Sequence, residues 1–211
     1  MILNNHISTF ALVSILGLTL ACPGFSQTAT TDTDGDGVPD TSEVLLGTDP
    51  VVADTDGDGQ NDLADADPAF TANPIDMTGA PATFTIKEAL VENNYDYGAK
   101  KDATDHLELL VTNSGSAPLA SFSIYYSITD ADTGKVEGTF RKLDSLSVPA
   151  GGEARTHFDD GAVAGHSHAN PNSIYITSQA AKTITFVLKA DGFAPVSVDV
   201  AKDKGGAEVA D

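Results

Sequence analysis

The first 86 residues contain no lysine and no arginine, against thirteen aspartates and glutamates. A segment of this kind brings no cations to a phosphate backbone or an anionic lipid surface, so nucleic acid and acidic membranes are excluded as its partners. The remainder of the 211-residue chain holds 18 acids and 11 bases, so most of the net charge of −20 lies toward the N-terminus. Cysteine occurs once, at Cys22, which excludes a disulfide within the chain and leaves no cysteine nucleophile in a folded domain. Tryptophan is absent, which argues against carbohydrate stacking. There is no Gly-x-Ser-x-Gly elbow and no glycine-rich phosphate loop opening a helix. Acids that could pair as in a glycosidase are concentrated in two short repeats, and others such as Asp130 and Asp132 belong to an ordinary turn. A binding protein is expected, not an enzyme.

What the chain does have is one acidic phrase written twice, DTDGDGVPDTSE from residue 32 and DTDGDGQNDLAD from residue 54, in register 22 positions apart. A calcium loop of the EF-hand type needs oxygen ligands at positions 1, 3, 5, 9 and 12, a backbone carbonyl at 7 and glycine at 6. The first phrase supplies Asp32, Asp34, Asp36, Asp40 and Glu43, with Gly37 at the turn and the Val38 carbonyl. The second supplies Asp54, Asp56, Asp58, Asp62 and Asp65, with Gly59 and the Gln60 carbonyl. Five carboxylates at a spacing of roughly 6 Å in water repel one another by a total of roughly 7 kcal/mol before salt screening. Such a loop requires a cation. Six to eight hard oxygens in flexible geometry suit calcium better than magnesium, which keeps its waters. Two calcium ions are therefore expected.

Between the phrases, Val44 to Pro50 leaves room for about one helical turn ended by Gly47 and Pro50, too little for the long helices that flank an EF-hand. Residues 66 to 81 contain three prolines and cannot form the helix that follows a dockerin loop. With the Gly47-Thr48-Asp49-Pro50 linker, residues 32 to 68 resemble the thrombospondin type 3 repeats of bacterial surface proteins. That resemblance implies calcium-wrapped, irregular backbone with little hydrophobic core, serving as a stiffened stalk. The cysteines of the animal repeats are missing, and position 12 of the second loop is Asp65 in place of glutamate. Its shorter side chain implies a weaker second site, completed by water or Asp67.

The N-terminus reads as an export signal: polar Met1 to His6, then an uncharged apolar stretch from Ile7 to Ala21, shorter than the roughly 20 residues of a membrane span. Two cleavage readings stand. Leu18 to Cys22 resembles a bacterial lipoprotein box, in which residues 1–21 are removed and Cys22 carries lipid, the chain's one route to a membrane; cleavage after Ser26 instead releases a soluble product. Either places the protein outside the cell or at its surface, where calcium is abundant.

Residues 82–202 change character, with short alternating segments between Gly, Pro, Asn and Asp turns. Leu107, Leu109 and Val111 share one face, and Phe122, Ile124, Tyr126 and Ile128 repeat the pattern. Further strands are expected at 82–91, 136–148, 153–158, 173–178, 182–190 and 195–201. The fold class is mainly β, an immunoglobulin-like sandwich behind a signal peptide, an irregular calcium-wrapped segment over 28–70 and a linker over 71–81, with a tail over 203–211. His157, His166 and His168 fall close together with Asp159 and Asp160, a set that offers imidazole to zinc or copper or forms a polar loop. Tyr95 and Tyr97 are candidates for a stacking patch or for the covered end of the sandwich.

The expected function is an exported calcium-binding protein whose stiffened stalk presents a sandwich to an unidentified protein or surface. The alternatives are a transition-metal or ligand module built on His157, His166 and His168, and an accessory domain of a secreted enzyme system.

Overall fold

Period-2 alternation over 122–130 becomes the central strand of a two-sheet sandwich. The computed structural model describes residues 30–92, 95–96, 101–102, 106–159 and 166–204; the expected signal segment, Cys22, Tyr97 and Asp160 lie outside them. Helix α1 spans Asp40–Leu46, and strands β1 (Phe84–Glu92), β2 (Tyr95–Asp96), β3 (Lys101–Asp102), β4 (His106–Asn113), β5 (Phe122–Asp130), β6 (Val136–Leu143), β7 (Glu153–Asp159) and β8 (His166–His168) follow. Helix α2 (Ile174–Thr177) precedes β9 (Lys182–Ala190) and β10 (Val196–Lys202).

One sheet has the order β1-β4-β7-β8 and the other β10-β9-β5-β6, with β2 and β3 as a separate small hairpin. All pairs are antiparallel except β7 with β8. The three strands β1-β4-β7 facing four strands β10-β9-β5-β6 are the A-B-E and G-F-C-C′ layers of an immunoglobulin-like sandwich. The core lies between them. Leu109, Val111 and Phe158 come from one sheet, Ile124, Ile128, Ile184, Phe186 and Leu188 from the other, all within one buried cluster. Edge-to-face rings tie the layers, Phe84 with Phe122 at 5.4 Å and Tyr126 with Phe158 at 5.7 Å.

Two expected strands end differently. Residues 144–148 leave the ladder after Leu143, and only Val148 returns, as a bridge to Leu119. The β-branched run 173–178 is expected as a strand and forms α2 instead. The Ser173 side chain accepts from the Tyr175 N–H, while the Glu137 carboxylate on β6 accepts from the Ile174 N–H and the Ser173 hydroxyl. These bonds satisfy the first donors of a helical turn, so capping overrides strand propensity.

The segment expected as a linker, 71–81, runs along the sandwich. Ile75 packs on Tyr125 and Val187 over the outer face of the second sheet, and Lys189 donates to the carbonyls of Asp76 and Thr78. Strand β6 is that sheet's edge, where unpaired backbone invites association. Here the edge is covered. Gly138 donates to the Ala69 carbonyl, Thr71 donates to the Gly138 carbonyl, and Phe140 donates to the Asp56 carbonyl at 2.7 Å. Glycine at 138 is required, because a Cβ there would stand 2.6 Å from the Thr71 carbonyl oxygen. The acidic segment is thus docked on the sandwich and does not stand away from it as a free stalk.

Candidate metal centre

The first seven positions of the two acidic loops fold alike, in the register their sequences share. In the first, the two oxygens of Asp32 accept from the N–H groups of Gly35 and Gly37, at 2.9 and 3.2 Å; in the second, Asp54 accepts from Gly57 and Gly59, both at 2.9 Å. Asp34 and Asp56 each accept the backbone N–H two residues on, as do Asp36 and Asp58. These local bonds fold each loop inward and bring Asp32, Asp34 and Asp36 together, and Asp54, Asp56 and Asp58 likewise, with one carboxylate oxygen of each within 4.8 Å of the others. Both triplets could hold a metal ion.

Buried oxygen atoms point to what completes them. Asp34 Oδ2, Asp36 Oδ2, Glu43 Oε2 and Asp56 Oδ2 are buried and have no hydrogen-bond partner. An uncompensated buried carboxylate costs several kcal/mol, and a cation removes that cost. Burial pushes the Glu43 carboxyl up to about 7, reinforced by Asp34, Asp36, Asp40 and Asp62. Asp56 is likewise pushed up to about 7, chiefly by burial, with Asp58, Asp65 and Asp54 adding to the rise and the Asp58 N–H opposing it. Asp34 and Asp62 are raised by the same desolvation.

The position-12 residues differ as the sequence suggests. Glu43 lies in the first turn of α1 and is fully buried. Asp65 is half-buried, outside any helix, and spends Oδ1 on the Asp67 N–H. At position 7, Val38 is buried, whereas Gln60 is exposed and turns its amide to Asp58.

The position-9 residues, expected as ligands, carry a contact that sequence reasoning missed. Both oxygens of Asp40 are engaged by Thr33, one by its N–H and one by its hydroxyl, each at 2.8 Å. Asp62 is held by Thr55 in the same way, at 2.8 and 2.7 Å. Threonine at position 2 in both phrases was the available signal. The loops also meet each other, since Asn61 Nδ2 donates to the Asp36 carbonyl at 2.8 Å.

The linker between the loops is bolted to the sandwich. Asn170 donates to the Gly47 carbonyl and Asn172 to the Thr48 carbonyl, both at 2.7 Å, and His168 Nε2 bonds Asp49 Oδ1 at 3.0 Å. The three clustered histidines therefore do not converge on one ion. His157 and His166 stack ring on ring at 4.5 Å, with His157 also against Glu108, while His168 turns to Asp49. Among the described residues, the only groups of three or more His, Cys, Asp or Glu placed to share a metal are the two aspartate triplets. Tyr95 falls in β2, and no helix among the described residues is long and apolar enough to cross a membrane.

No family model matches the chain. No curated protein matches it in sequence. Among solved structures, a β-glucuronidase of Bacteroides uniformis is similar over 58% of this chain and 13% of its own, at 10% identity and a TM-score of 0.30. A candidate ApaA protein of Bordetella pertussis is similar over 60% and 98%, at 15% identity and 0.34. The alkylpurine DNA glycosylase AlkC of Pseudomonas fluorescens is similar over 57% and 30%, at 16% identity and 0.30. The chain therefore spans a small part of the glucuronidase and of the glycosylase.

Proposed function

We propose that this is an exported calcium-binding protein in which two loops of the thrombospondin type 3 kind, each taking one calcium ion, brace an immunoglobulin-like interaction domain. The observation that carries the reading is the set of four buried, unpartnered carboxylate oxygens on Asp34, Asp36, Glu43 and Asp56. Calcium supplies the missing charge, and because the loops are bonded to β6 and to the 168–172 segment, ion binding becomes stability of the docked assembly. The function is structural and adhesive: a metal-set brace that covers a sheet edge and presents the sandwich at a cell surface or in a secreted assembly. The apolar stretch from Ile7 to Ala21 supports export.

Calorimetric titration with calcium tests it. Two ions bind with affinities that differ between the loops, and chelation exposes residues 30–70 to protease. Absence of stoichiometric calcium binding, with cleavage unchanged by chelator, refutes the proposal.

A further inference from the structure

A cavity of about 260 Å³ opens between the two sheets, beside the edge strand β6. Its inner wall is Leu107, Tyr126, Ile128 and Phe158, and Thr55 and Ala69 of the acidic segment close it from outside. Most of the polar side chains around it are already spent on the protein. Thr55 and His168 hold Asp62 and Asp49, Asn170 holds Gly47, and Glu137 is occupied by Ser173 and Ile174. What they leave facing the space is carbon.

Two hydroxyls are the exception. Tyr126 on β5 and Thr139 on β6 both line the cavity and are direct cross-strand partners, which puts their Cβ atoms about 5 Å apart on one face. Each residue is more than nine-tenths buried, yet neither hydroxyl is a sealed atom; both make no hydrogen bond to the described residues and stay reachable from the cavity. A hydroxyl that opens onto a cavity and is not spent on the protein can donate to or accept from an occupant. The Tyr126 ring, edge-on to Phe158 at 5.7 Å, adds an aromatic wall.

We infer that the cavity is a binding site for a small, mostly apolar molecule carrying one hydrogen-bonding oxygen, its carbon body among Leu107, Ile128 and Phe158 and its oxygen at Tyr126 and Thr139. The size fits. A dry apolar cavity of about 150 Å³ already takes up benzene, and sites for larger drug-sized molecules begin near 300 Å³, so this one suits a single substituted ring or a short chain. The site borders the second acidic loop at Thr55 but shares none of its aspartates, and its occupant needs no charge.

The test uses the full exported chain in calcium buffer, titrated separately with p-cresol and with toluene, reading methyl and aromatic NMR shifts. Both probes should saturate and shift Leu107, Ile128 and Phe158 together. The double variant Tyr126→Phe with Thr139→Val should weaken p-cresol about fivefold or more and leave toluene nearly unchanged. Ile128→Trp, which fills the space, should abolish both; Ala169→Leu at the rim is the milder substitute if that variant does not fold. Shifts that fail to saturate, shifts confined to other residues, equal p-cresol affinity in the double variant, or undiminished binding in a folded filled variant overturn the inference.

Discussion

His168 Nε2 lies 2.9 Å from one oxygen of Asp49 and 3.0 Å from the other, joining the end of β8 to the turn between the two acidic loops. Asp49 is fully buried, and its own N–H donates to the Thr55 hydroxyl at 2.8 Å. Removing the imidazole leaves a buried carboxylate without its principal partner, the costly direction of such a deletion. His168→Ala should therefore destabilise the docked segment by about 1–3 kcal/mol, whereas His157→Ala should not release it. Limited proteolysis in calcium reads this directly, since only His168→Ala should speed cleavage within 30–70. Equal cleavage of the two variants would show that the Asp49 contact does not hold the segment.

A pair of glycines separates loop folding from docking. Gly35 and Gly57 occupy the same position in the two loops, at φ 77° and 80°. Alanine at either costs about 1–2 kcal/mol from the left-handed backbone alone. Around Gly35 an added Cβ meets nothing within 4 Å, but at Gly57 it would stand 2.0 Å from the Phe140 carbonyl oxygen. Gly57→Ala should therefore cost more than Gly35→Ala by at least about 1 kcal/mol, because it also breaks the Phe140-to-Asp56 bond. Thermal unfolding in saturating calcium gives the comparison, and equal losses would remove the edge-capping role of the second loop.

The sandwich was legible because period-2 alternation and turn residues are local signals, and Phe122, Ile124, Tyr126 and Ile128 lie in the core as their spacing implies. The aspartate triplets were legible for the same reason, since all their bonds are formed within a few residues. Docking was not. It depends on Asn170 and Asn172 meeting Gly47 and Thr48 from more than a hundred positions away, and asparagine in a loop carries no signal of its partner. Nor was α2 readable from its own residues, since Ile174-Tyr175-Ile176-Thr177 favours a strand until Glu137 from β6 caps it.

The threonine clamps make a prediction about metal affinity. Thr33 and Thr55 orient the position-9 carboxylates through two bonds each, the kind of outer support whose loss typically weakens a metal site 10- to 100-fold. Thr33→Val removes only the hydroxyl bond and should weaken the first site about tenfold, with the second nearly unchanged. Calcium titration resolves the two sites. If Asp40→Asn abolishes binding at the first loop while Thr33→Val has no effect, Asp40 acts as a direct ligand and the threonine is incidental.

In the proposed calcium-bound loops, protons and the ion would compete for the same buried oxygens, which fixes the sign of two opposite pH effects. Glu43 is raised from an ordinary 4.5 to about 7, and Asp56 from 3.8 to about 7. Without metal, the folded loops therefore bind more protons than the unfolded chain between those limits. Their stability is present below the ordinary carboxylate range and is lost as pH rises toward 7. With calcium the order reverses, because the ion requires the ionised carboxylates and must displace those protons. Calcium affinity should fall below pH 7 by about tenfold per pH unit for each proton displaced. Titrations at pH about 8 and about 5, beside chelated samples melted at the same two values, measure both slopes. Glu43→Gln should flatten the pH dependence of the first loop in each series while lowering its affinity. Parallel slopes with and without calcium would mean that Glu43 and Asp56 are not where the ion and the proton compete.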